Sequence, residues 1–266
     1  MISDSGPISV PKFVAMKSAG RKITMATAYD YTIAGLVDAA GVEGILVGDS
    51  LGMVIQGHPT TLPVTLDQMI YHAEMVGRAV ETALVVVDLP FLTDRLGTYE
   101  AVRSAGRILK ETRCHAVKLE GGRDQPDVIA ALVSAGIPVM AHCGLRPQCV
   151  RQLGGYRVQR NHEQLLAEAK SAEQAGAFAV LLELVPAEVA TAITAELSVP
   201  TIGIGAGGGC DGQVLVVNDL VGLTPGRLPR HVKTYADLRG TILDALARYR
   251  DEVREGIFPG KEHTFS

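Results

Sequence analysis

Eight short apolar runs recur along the chain, and most are separated by longer segments in which apolar residues follow a helical period. Runs of this length that are rich in β-branched residues are typical of strands buried on both faces. The runs cover residues 23–28, 44–48, 83–87, 115–119, 137–141, 177–182, 200–204 and 213–217. Alternation of strand and helix predicts parallel strands joined by right-handed crossovers. The number of runs favours a (β/α)8 TIM barrel of the α/β class over an open doubly wound sheet.

The segments between the runs predict helices with recognisable ends. Gly41 and Gly136 each follow an apolar helical segment, at the position where a left-handed residue ends a helix. Residues 146–161 form a longer connection after the fifth run, which we expect to be a lid or a binding loop. Residues 235–255 predict one amphipathic helix that covers the barrel or a neighbouring subunit. The other predicted helices are residues 32–40, 66–80, 99–110, 126–134, 163–175 and 187–197.

Length and composition predict one globular domain. A barrel of this kind commonly needs about 250 residues, and the chain has 266. Hydrophobic residues make up 47% of the chain and charged residues 20%, which excludes a disordered chain. We therefore expect a single barrel domain over residues 1–266, with a short N-terminal extension and a C-terminal helix.

Charge and hydropathy exclude two classes of partner. Lys and Arg number 25 against 29 Asp and Glu and are scattered, so nucleic acid is not expected as a partner. No stretch approaches the roughly 18 apolar residues of a membrane span, and the N-terminus lacks a leader pattern, so we expect no membrane partner and a cytoplasmic location. The four cysteines lack the spacing of a zinc site or a disulfide scaffold, and we interpret them as reduced thiols.

Polar side chains stand at the ends of five of the predicted strands. In a parallel barrel the functional residues lie at the carboxyl ends of the strands. Residues two apart in a strand point the same way, so Lys118 and Glu120 share a face. The strand-end residues are Asp49 and Ser50 after the second run, Asp88 after the third, Lys118 and Glu120 at the fourth, His142 after the fifth and Glu183 after the sixth.

Three of these acids come from neighbouring strands and predict a metal site. Asp49, Asp88 and Glu120 converge on one side of the barrel mouth and offer only oxygen ligands, which suits Mg²⁺. Any one of them could instead cap a helix or form a surface ion pair, and Asp49, which precedes Ser50, could cap a turn. Four carboxylates, Glu183 included, would be costly to cluster at the ends of apolar strands without a cation.

The remaining strand-end residues suggest roles around such a metal. Glu183 lies across an eight-stranded barrel from Asp49. Its apolar neighbours should raise its pKa, which suits a general base that takes a proton from carbon, and a structural glutamate is the alternative. Lys118 either steadies a negatively charged substrate oxygen or balances the charge of the acids. His142 either contacts the substrate or is a hydrogen-bonded structural residue.

A glycine-rich segment, residues 203–208, matches the GxGxxG pattern of dinucleotide-binding folds but has the wrong context. That fingerprint opens a βαβ unit and leads into a helix, with an acidic residue about 20 positions further on. Here the glycines follow the seventh run and lead into the eighth within a few residues. We therefore expect a tight structural turn, or a loop at which substrate or phosphate meets main-chain amides.

Seven stretches of the chain match the motifs of one known family. The most specific are VGDSLGMVIQGHPTTLPVTLDQMIYH at residues 47–72 and AVKLEGG at 116–122. The others are KITMATAYDY (22–31), VVVDLPF (85–91), IPVMAHCGLRPQ (137–148), LLELVP (181–186) and IGIGAGGGCDGQVLV (202–216). Over nearly its whole length the chain thus resembles the 3-methyl-2-oxobutanoate hydroxymethyltransferase family, also called ketopantoate hydroxymethyltransferase.

The resemblance implies substrates and a full set of site residues. The positions implied for Mg²⁺ are Asp49, Asp88 and Glu120. Those implied for the 2-oxo acid are Asp49, Ser50, Asp88 and Lys118. Glu183 is implied as the acceptor of the transferred proton. The implied enzyme transfers a hydroxymethyl group from 5,10-methylenetetrahydrofolate to 3-methyl-2-oxobutanoate through a Mg²⁺-stabilised enolate. The product, ketopantoate, feeds pantothenate and coenzyme A synthesis. The resemblance also implies a homo-oligomer, which is a decamer in bacterial members.

Three segments depart from the family pattern. Leu92-Thr93-Asp94 stands where the family usually has Gly-Ser-Tyr. Cys143 and Arg146 replace a residue that is usually apolar and one that is usually threonine. The segment PRHVK at 229–233 usually reads PKFVK in the family. Every matched metal, substrate and base position is intact. We therefore expect the departures to affect loop closure, folate contacts or rate rather than the class of reaction.

Two other functions are compatible with the same barrel. One is a Mg²⁺-dependent enolate lyase or mutase of the phosphoenolpyruvate mutase and isocitrate lyase type, which should carry a reactive cysteine in a KxCG-like loop. Cys143-Gly144 has no preceding lysine. The other is a barrel that has lost catalysis and serves as a binding or scaffold protein, against which the intact acids argue.

Overall fold

The computed structural model describes residues 6–265, which form two compact units divided between Val216 and Val217. The first unit is an eight-stranded parallel barrel with surrounding helices. Each strand pairs with the next along the chain, and the last pairs with the first, which closes the sheet on itself. The predicted (β/α)8 barrel is therefore confirmed. One domain over residues 1–266 stays a prediction.

The strands fall within three residues of the predicted runs at either end. They are β1 (Ile23–Thr27), β2 (Gly44–Val47), β3 (Leu84–Asp88), β4 (Ala116–Glu120), β5 (Val139–Gly144), β6 (Ala179–Glu183), β7 (Thr201–Ile204) and β8 (Gly212–Leu215). The fifth strand differs most from its prediction. It continues to Gly144 because its pairing with β6 continues as far as Gly144 and Glu183.

The helices include all those predicted and several short ones. They are α1 (Val10–Ser18), α2 (Tyr31–Ala39), α3 (Leu51–Val54), α4 (Leu66–Ala79), α5 (Thr98–Glu111), α6 (Pro126–Ser134), α7 (Val150–Leu153), α8 (His162–Gln174), α9 (Ala187–Glu196), α10 (Val217–Leu220) and α11 (Leu238–Arg254). Asp30 caps α2, and Thr65 and Gln68 form a capping box at the start of α4. Gly41 and Gly136 have left-handed φ angles of 76° and 80° just after α2 and α6, which confirms the predicted caps.

Helix α1 lies outside the predicted helices and closes the amino end of the barrel. Phe13 and Met16 are three residues apart on one face of α1, and both are buried against the barrel interior. Every strand contributes to this cluster, through Ile23, Met25, Leu46, Leu84, Val86, Ala116, Met140, Ala179, Leu181, Ile202 and Val214. The Phe13 ring meets the edge of Phe178 at a centroid distance of 5.9 Å. Complete burial of a phenylalanine contributes roughly 1.5–3 kcal/mol, so α1 is part of the core.

The second unit contains α10 and α11. The main-chain N–H of Tyr235 donates to the oxygen of Leu220 at 2.8 Å, which ties the segment before α11 to the end of α10. The predicted tail helix is confirmed, and it begins at Leu238 because Asp237 caps it. Apolar side chains at helical spacing are exposed on one face of α11, namely Ile242, Leu246, Tyr249 and Val253. Within residues 6–265, no helix combines the length and apolar character that crossing a bilayer requires.

Candidate active site

The polar residues predicted at the strand ends lie at the carboxyl rim of the barrel. Asp88, Glu120 and Glu183 are the last residues of β3, β4 and β6, and Asp49 lies just beyond β2. Lys118 and His142 lie within β4 and β5, each shortly before the end of its strand. The side chains of this group other than Glu183 are buried, and none of those five residues is more than 4% exposed.

Lys118 and Asp88 form a buried ion pair at the centre of the site. The two residues face each other in the register of β3 and β4, and Lys118 Nζ lies 2.8 Å from Asp88 Oδ1. The other oxygen of Asp88 accepts a hydrogen bond of 3.0 Å from the main-chain N–H of Asp49. Burial alone would lower the pKa of Lys118, but the carboxylates of Asp88, Glu120 and Asp49 raise it above its usual value. The ammonium is therefore charged.

The other two acids of the predicted metal site are hard to ionise. Burial and then the negative charge of Asp88 raise the pKa of Asp49 to about 7. Burial and then the charge of Asp49 raise the pKa of Glu120 well above its usual value, and Glu183 contributes in the same direction. The cluster thus holds more negative charge than Lys118 alone can balance.

Gln148, which the sequence did not predict as a site residue, joins these acids. Its Nε2 donates to Asp49 Oδ2 at 2.9 Å, and its main-chain N–H donates to Glu120 Oε2 at 3.0 Å. It lies in a 3₁₀ turn, Pro147–Cys149, at the start of the connection expected to be a lid or binding loop. Loop residues follow no period, so the only available signal was its place in the matched stretch of residues 137–148.

The three predicted metal ligands share one hydrogen-bonded network, but they do not stand as a ready-made ligand group. Among residues 6–265, no three His, Cys, Asp or Glu side chains are grouped so that they could hold a metal ion. Like charges repel, and the oxygen Asp88 Oδ1 is paired with Lys118 Nζ rather than with the other acids. Glu120 Oε1, however, is buried without a hydrogen-bond partner. Assignment of these residues as metal ligands stays a prediction.

His142 connects the acid cluster to Glu183. Lys118 Nζ lies 3.1 Å from His142 Nδ1, and His142 Nε2 lies 3.3 Å from Glu183 Oε2. Burial, and then the charge of Lys118, lowers the pKa of His142 well below its usual value, so the ring is neutral. An ammonium can only donate, so Nδ1 accepts and Nε2 carries the ring proton that faces Glu183. The hydrogen bond at Nδ1 supports the structural role considered for His142, whereas Nε2 is buried without a hydrogen-bond partner. A contact with substrate stays a prediction.

The backbone around Glu183 is tightly constrained. Leu184 has a φ of 47°, in the left-handed region that residues other than glycine rarely adopt. The main-chain oxygen of Glu183 accepts from the N–H of Leu145 at 2.8 Å. A Cβ atom at Gly144 would lie only 2.4 Å from that same oxygen. Glycine at this position therefore allows β5 and β6 to approach where Glu183 is placed.

Ser50, which the family resemblance places at the 2-oxo acid, lies beside Tyr29. The two hydroxyl oxygens are 2.9 Å apart, and Ser50 precedes α3 without capping it through its side chain. Tyr29 is 2% exposed. It was not predicted as a site residue, although it lies in the matched stretch of residues 22–31. The Ser50 hydroxyl is thus oriented by Tyr29, two residues after the end of β1, and it does not cap α3.

The first departure from the family pattern has a visible structural basis. Leu92 has a φ of 72° at the position where the family usually has glycine, so this chain accepts a strained backbone there. Asp94 is completely buried, and its Oδ2 accepts from Gln125 Nε2 at 2.6 Å. Burial raises the pKa of Asp94 above its usual value. The departure therefore replaces the family's usual side chain with a buried carboxyl held by the next loop.

A second departure, Arg146, belongs to an ion-pair network that links three loops. Arg95 Nη1 and Arg146 Nη1 both donate to Asp124 Oδ2, at 2.8 and 2.6 Å. Arg95 also donates to the main-chain oxygen of Glu120. Although burial opposes it, the hydrogen bond from Arg95 and the charge of Arg146 lower the pKa of Asp124 to about 2. The loops after β3, β4 and β5 are thus connected around the end of β4.

The glycine-rich segment lies between two strands, as its context predicted. Strand β7 ends at Ile204 and β8 begins at Gly212, with turns and bends between them. The segment leads into β8 rather than into the N-terminus of a helix, which a dinucleotide fingerprint requires. The pattern therefore gives no support for a nucleotide site.

Solved structures of several enzymes share this fold. Phosphonopyruvate hydrolase in complex with oxalate and Mg²⁺ is similar with a TM-score of 0.64 at 13% identity, covering 96% of this chain and 93% of that one. Phosphoenolpyruvate phosphomutase from Streptomyces platensis subsp. rosaceus has a TM-score of 0.63 at 17% identity, covering 94% and 88%. At these identities the likeness shows the fold alone.

Several other proteins have a much higher sequence identity to this chain than those solved structures have. A 3-methyl-2-oxobutanoate hydroxymethyltransferase of Rhodopirellula baltica is 58% identical over 250 residues, covering 94% of this chain and 93% of that protein. One of Desulforapulum autotrophicum is 54% identical over 250 residues, covering 94% and 95%. The family model described as ketopantoate hydroxymethyltransferase matches residues 7–261. Because that match spans almost the whole chain, the protein belongs to the ketopantoate hydroxymethyltransferase family of transferases.

Proposed function

We propose that this chain transfers a hydroxymethyl group from 5,10-methylenetetrahydrofolate to 3-methyl-2-oxobutanoate, producing 2-dehydropantoate (ketopantoate) for pantothenate and coenzyme A synthesis. The observation that carries the proposal is one buried network, in which three carboxylates and the Lys118 ammonium connect through His142 to Glu183. Such a site can hold a small acid at one side and take a proton from it at the other. Family membership supports the choice of the two substrates.

Asp49, Asp88 and Glu120 would hold Mg²⁺. Their side chains are buried, they supply the oxygen ligands that Mg²⁺ prefers, and Glu120 Oε1 has no hydrogen-bond partner. Burial first, and then the charge of a neighbouring acid, raises the pKa values of Asp49 and Glu120, and a cation would oppose both effects. When bound, Mg²⁺ supplies positive charge that stabilises negative charge developing on substrate oxygens.

Lys118 and Ser50 would orient the 2-oxo acid, together with Asp49 and Asp88. The Lys118 ammonium is buried and fixed by Asp88, so it offers an immobile positive charge to an anionic oxygen. The Ser50 hydroxyl is held beside Tyr29 and directly follows Asp49. These contacts support the assignment of these positions to substrate binding.

Glu183 would accept the proton from C3 of the substrate. His142 Nε2 lies 3.3 Å from Glu183 Oε2 without forming a hydrogen bond, and the neutral ring packs beside the carboxylate without giving it a proton. The electron pair left at C3 attacks the methylene carbon of the folate and forms the new carbon–carbon bond. The bonds from that carbon to the folate nitrogens break, and water supplies the hydroxyl group. The C3 proton and one proton of water end on the two folate nitrogens.

The lyase alternative has no support beyond the shared fold. A reactive cysteine would need a thiol that ionises readily. Cys143 is 1% exposed, and burial raises the pKa of its thiol above the usual value. The residue is therefore placed as a core side chain, and the hydroxymethyl transfer is the better proposal.

The decisive experiment replaces the base and follows hydrogen exchange. In deuterated water with Mg²⁺, the wild-type protein should exchange the C3 proton of 3-methyl-2-oxobutanoate, as NMR can measure. Glu183→Gln should abolish the exchange while calorimetry still detects binding of Mg²⁺ and of the oxo acid. Glu188→Gln, an exposed glutamate on α9, is the matched control and should exchange normally. Undiminished exchange in Glu183→Gln would rule out this base.

Product formation tests the transfer itself. With 3-methyl-2-oxobutanoate, 5,10-methylenetetrahydrofolate and Mg²⁺, the wild-type protein should form ketopantoate. Asp88→Ala should form none, because it removes both a proposed ligand and the partner of Lys118. Absence of product with the wild-type protein would contradict the proposed reaction.

A homo-oligomer, a decamer by family resemblance, stays a proposal. The exposed apolar face of α11 supports an interface between copies, because side chains such as Ile242 and Leu246 are about half exposed. A cytoplasmic location also stays a prediction. It is supported by the four cysteines, which form no disulfide bond.

A further inference from the structure

Gln148 is the one amide side chain that the loop after β5 inserts among the acids. It is 7% exposed, whereas Pro147 and Cys149 on either side are only partly buried. A glutamine seldom lies inside a protein unless hydrogen bonds satisfy its polar atoms. Its burial therefore reflects the contacts that it makes.

These contacts reach groups at or just beyond the ends of three different strands. The Nε2 group donates to Asp49 Oδ2 at 2.9 Å and to the main-chain oxygen of Leu89 at 3.0 Å. Both hydrogens of the amide nitrogen are thereby used. The main-chain N–H donates to Glu120 Oε2 at 3.0 Å. One residue thus holds groups at the ends of β2, β3 and β4.

The same hydrogen bonds determine which oxygen a carboxylate leaves open. With Glu120 Oε2 bound to the main chain of Gln148, Oε1 is the buried oxygen without a hydrogen-bond partner. The amide of Gln148 likewise fixes Asp49 through Oδ2. A ligand already held in one orientation loses less freedom on binding, which favours affinity.

We propose that Gln148 is a positioning residue that presets the carboxylates of Asp49 and Glu120 for a divalent cation. The inference rests on the cation of the proposed function and adds a residue outside the ligand set. Partners that orient metal ligands typically contribute roughly 10–100-fold to metal affinity. Gln148 acts through Asp49 and Glu120 and makes no step of the reaction itself.

The variant Gln148→Met tests the side-chain amide of Gln148 separately from its main-chain N–H. The substitution keeps the side-chain length and the main-chain N–H that holds Glu120, but it removes both side-chain donors. Calorimetric titration with Mg²⁺ alone, at a temperature where circular dichroism shows a folded protein, should give roughly 10–100-fold weaker binding than wild type. Gln152→Met, at an exposed glutamine on α7 of the same segment, is the matched control and should bind Mg²⁺ as wild type does.

The outcomes separate this inference from the proposed function. A folded Gln148→Met protein that binds Mg²⁺ as tightly as Gln152→Met overturns the positioning role and leaves the proposed function in place. A residue with only a structural role would give that result together with a lower melting temperature. A wild-type protein that binds no Mg²⁺ overturns the proposed cation and this inference with it. If the methionine variant does not fold, Gln148→Ala, which leaves room for water, should show the same weakened binding.

Discussion

Replacement of Gly144 by alanine should displace the end of β6, which carries the proposed base Glu183, through a single added methyl group. Gly144 has a φ of 93°, and a Cβ atom there would lie 2.4 Å from the main-chain oxygen of Glu183 and 2.8 Å from Val185 Cγ2. An ordinary contact requires at least 3.4 Å, so the two strand ends must separate by about 1 Å. The displaced backbone is the one that carries the proposed base.

Both activity and stability should respond. A misplacement of about 1 Å at a reacting group can lower kcat by roughly 100-fold. The extra methyl group should reduce the free energy of unfolding by about 1–3 kcal/mol, and the left-handed backbone adds about 1–2 kcal/mol. Gly97→Ala is a matched control, because Gly97 has a φ of 96° and nothing within 4 Å of its Cβ position. Gly97→Ala should lose only the about 1–2 kcal/mol of unfolding free energy that the left-handed backbone costs.

Urea unfolding and initial rates of ketopantoate formation measure the two effects. Gly144→Ala should unfold at a lower urea concentration than Gly97→Ala and should lose kcat and C3 proton exchange together. Gly97→Ala should keep wild-type kcat. If folded Gly144→Ala has a kcat within a factor of three of its control, the contact between β5 and β6 does not set the position of Glu183.

Two further predictions concern the stability of the barrel. The folded-state pKa of Asp49, about 7, lies above the unfolded-state value, so its contribution to stability is complete below about pH 4 and is lost as the pH rises through 7. In EDTA the protein should therefore unfold at a lower urea concentration at pH 8 than at pH 6. If Asp49→Asn shows the same decrease between the two pH values, the carboxyl group of Asp49 is not its cause. Phe13→Ala should reduce the free energy of unfolding by about 3–5 kcal/mol and leave kcat unchanged, since Phe13 lies at the amino end of the barrel. A loss below about 1 kcal/mol in urea unfolding would show that α1 is dispensable to the core.

The barrel was predictable because each strand is a buried run bounded by turns. Asp88, Glu120 and Glu183 could be placed on one rim because they end their strands, and parallel strands bring their ends together. Helix α1 was missed although Phe13 and Met16 have helical spacing, because it precedes the first strand and so lies outside the alternation of strand and helix. Its burial depends on a ring of side chains drawn from the whole barrel.

The contacts inside the site could not be predicted in the same way. Which acid pairs with Lys118 depends on the register of β3 and β4, and register is a property of the assembled sheet. The role of Gln148 depends on three strand ends that meet at one loop residue, and no local pattern encodes that meeting. The identity of the oxo acid and of the folate came from family resemblance rather than from geometry.

Closure of the barrel through β1 and β8 has a consequence for synthesis on the ribosome. Strand β1 emerges first, yet one of its two neighbours is the last strand to be made. Until β8 is made, one edge of β1 has no partner strand in the barrel. The cluster against which α1 packs is also incomplete. A chain truncated before Gly212 should therefore present the open edge of β1 to chaperones and proteases, while α1 lacks the part of its cluster that Val214 supplies.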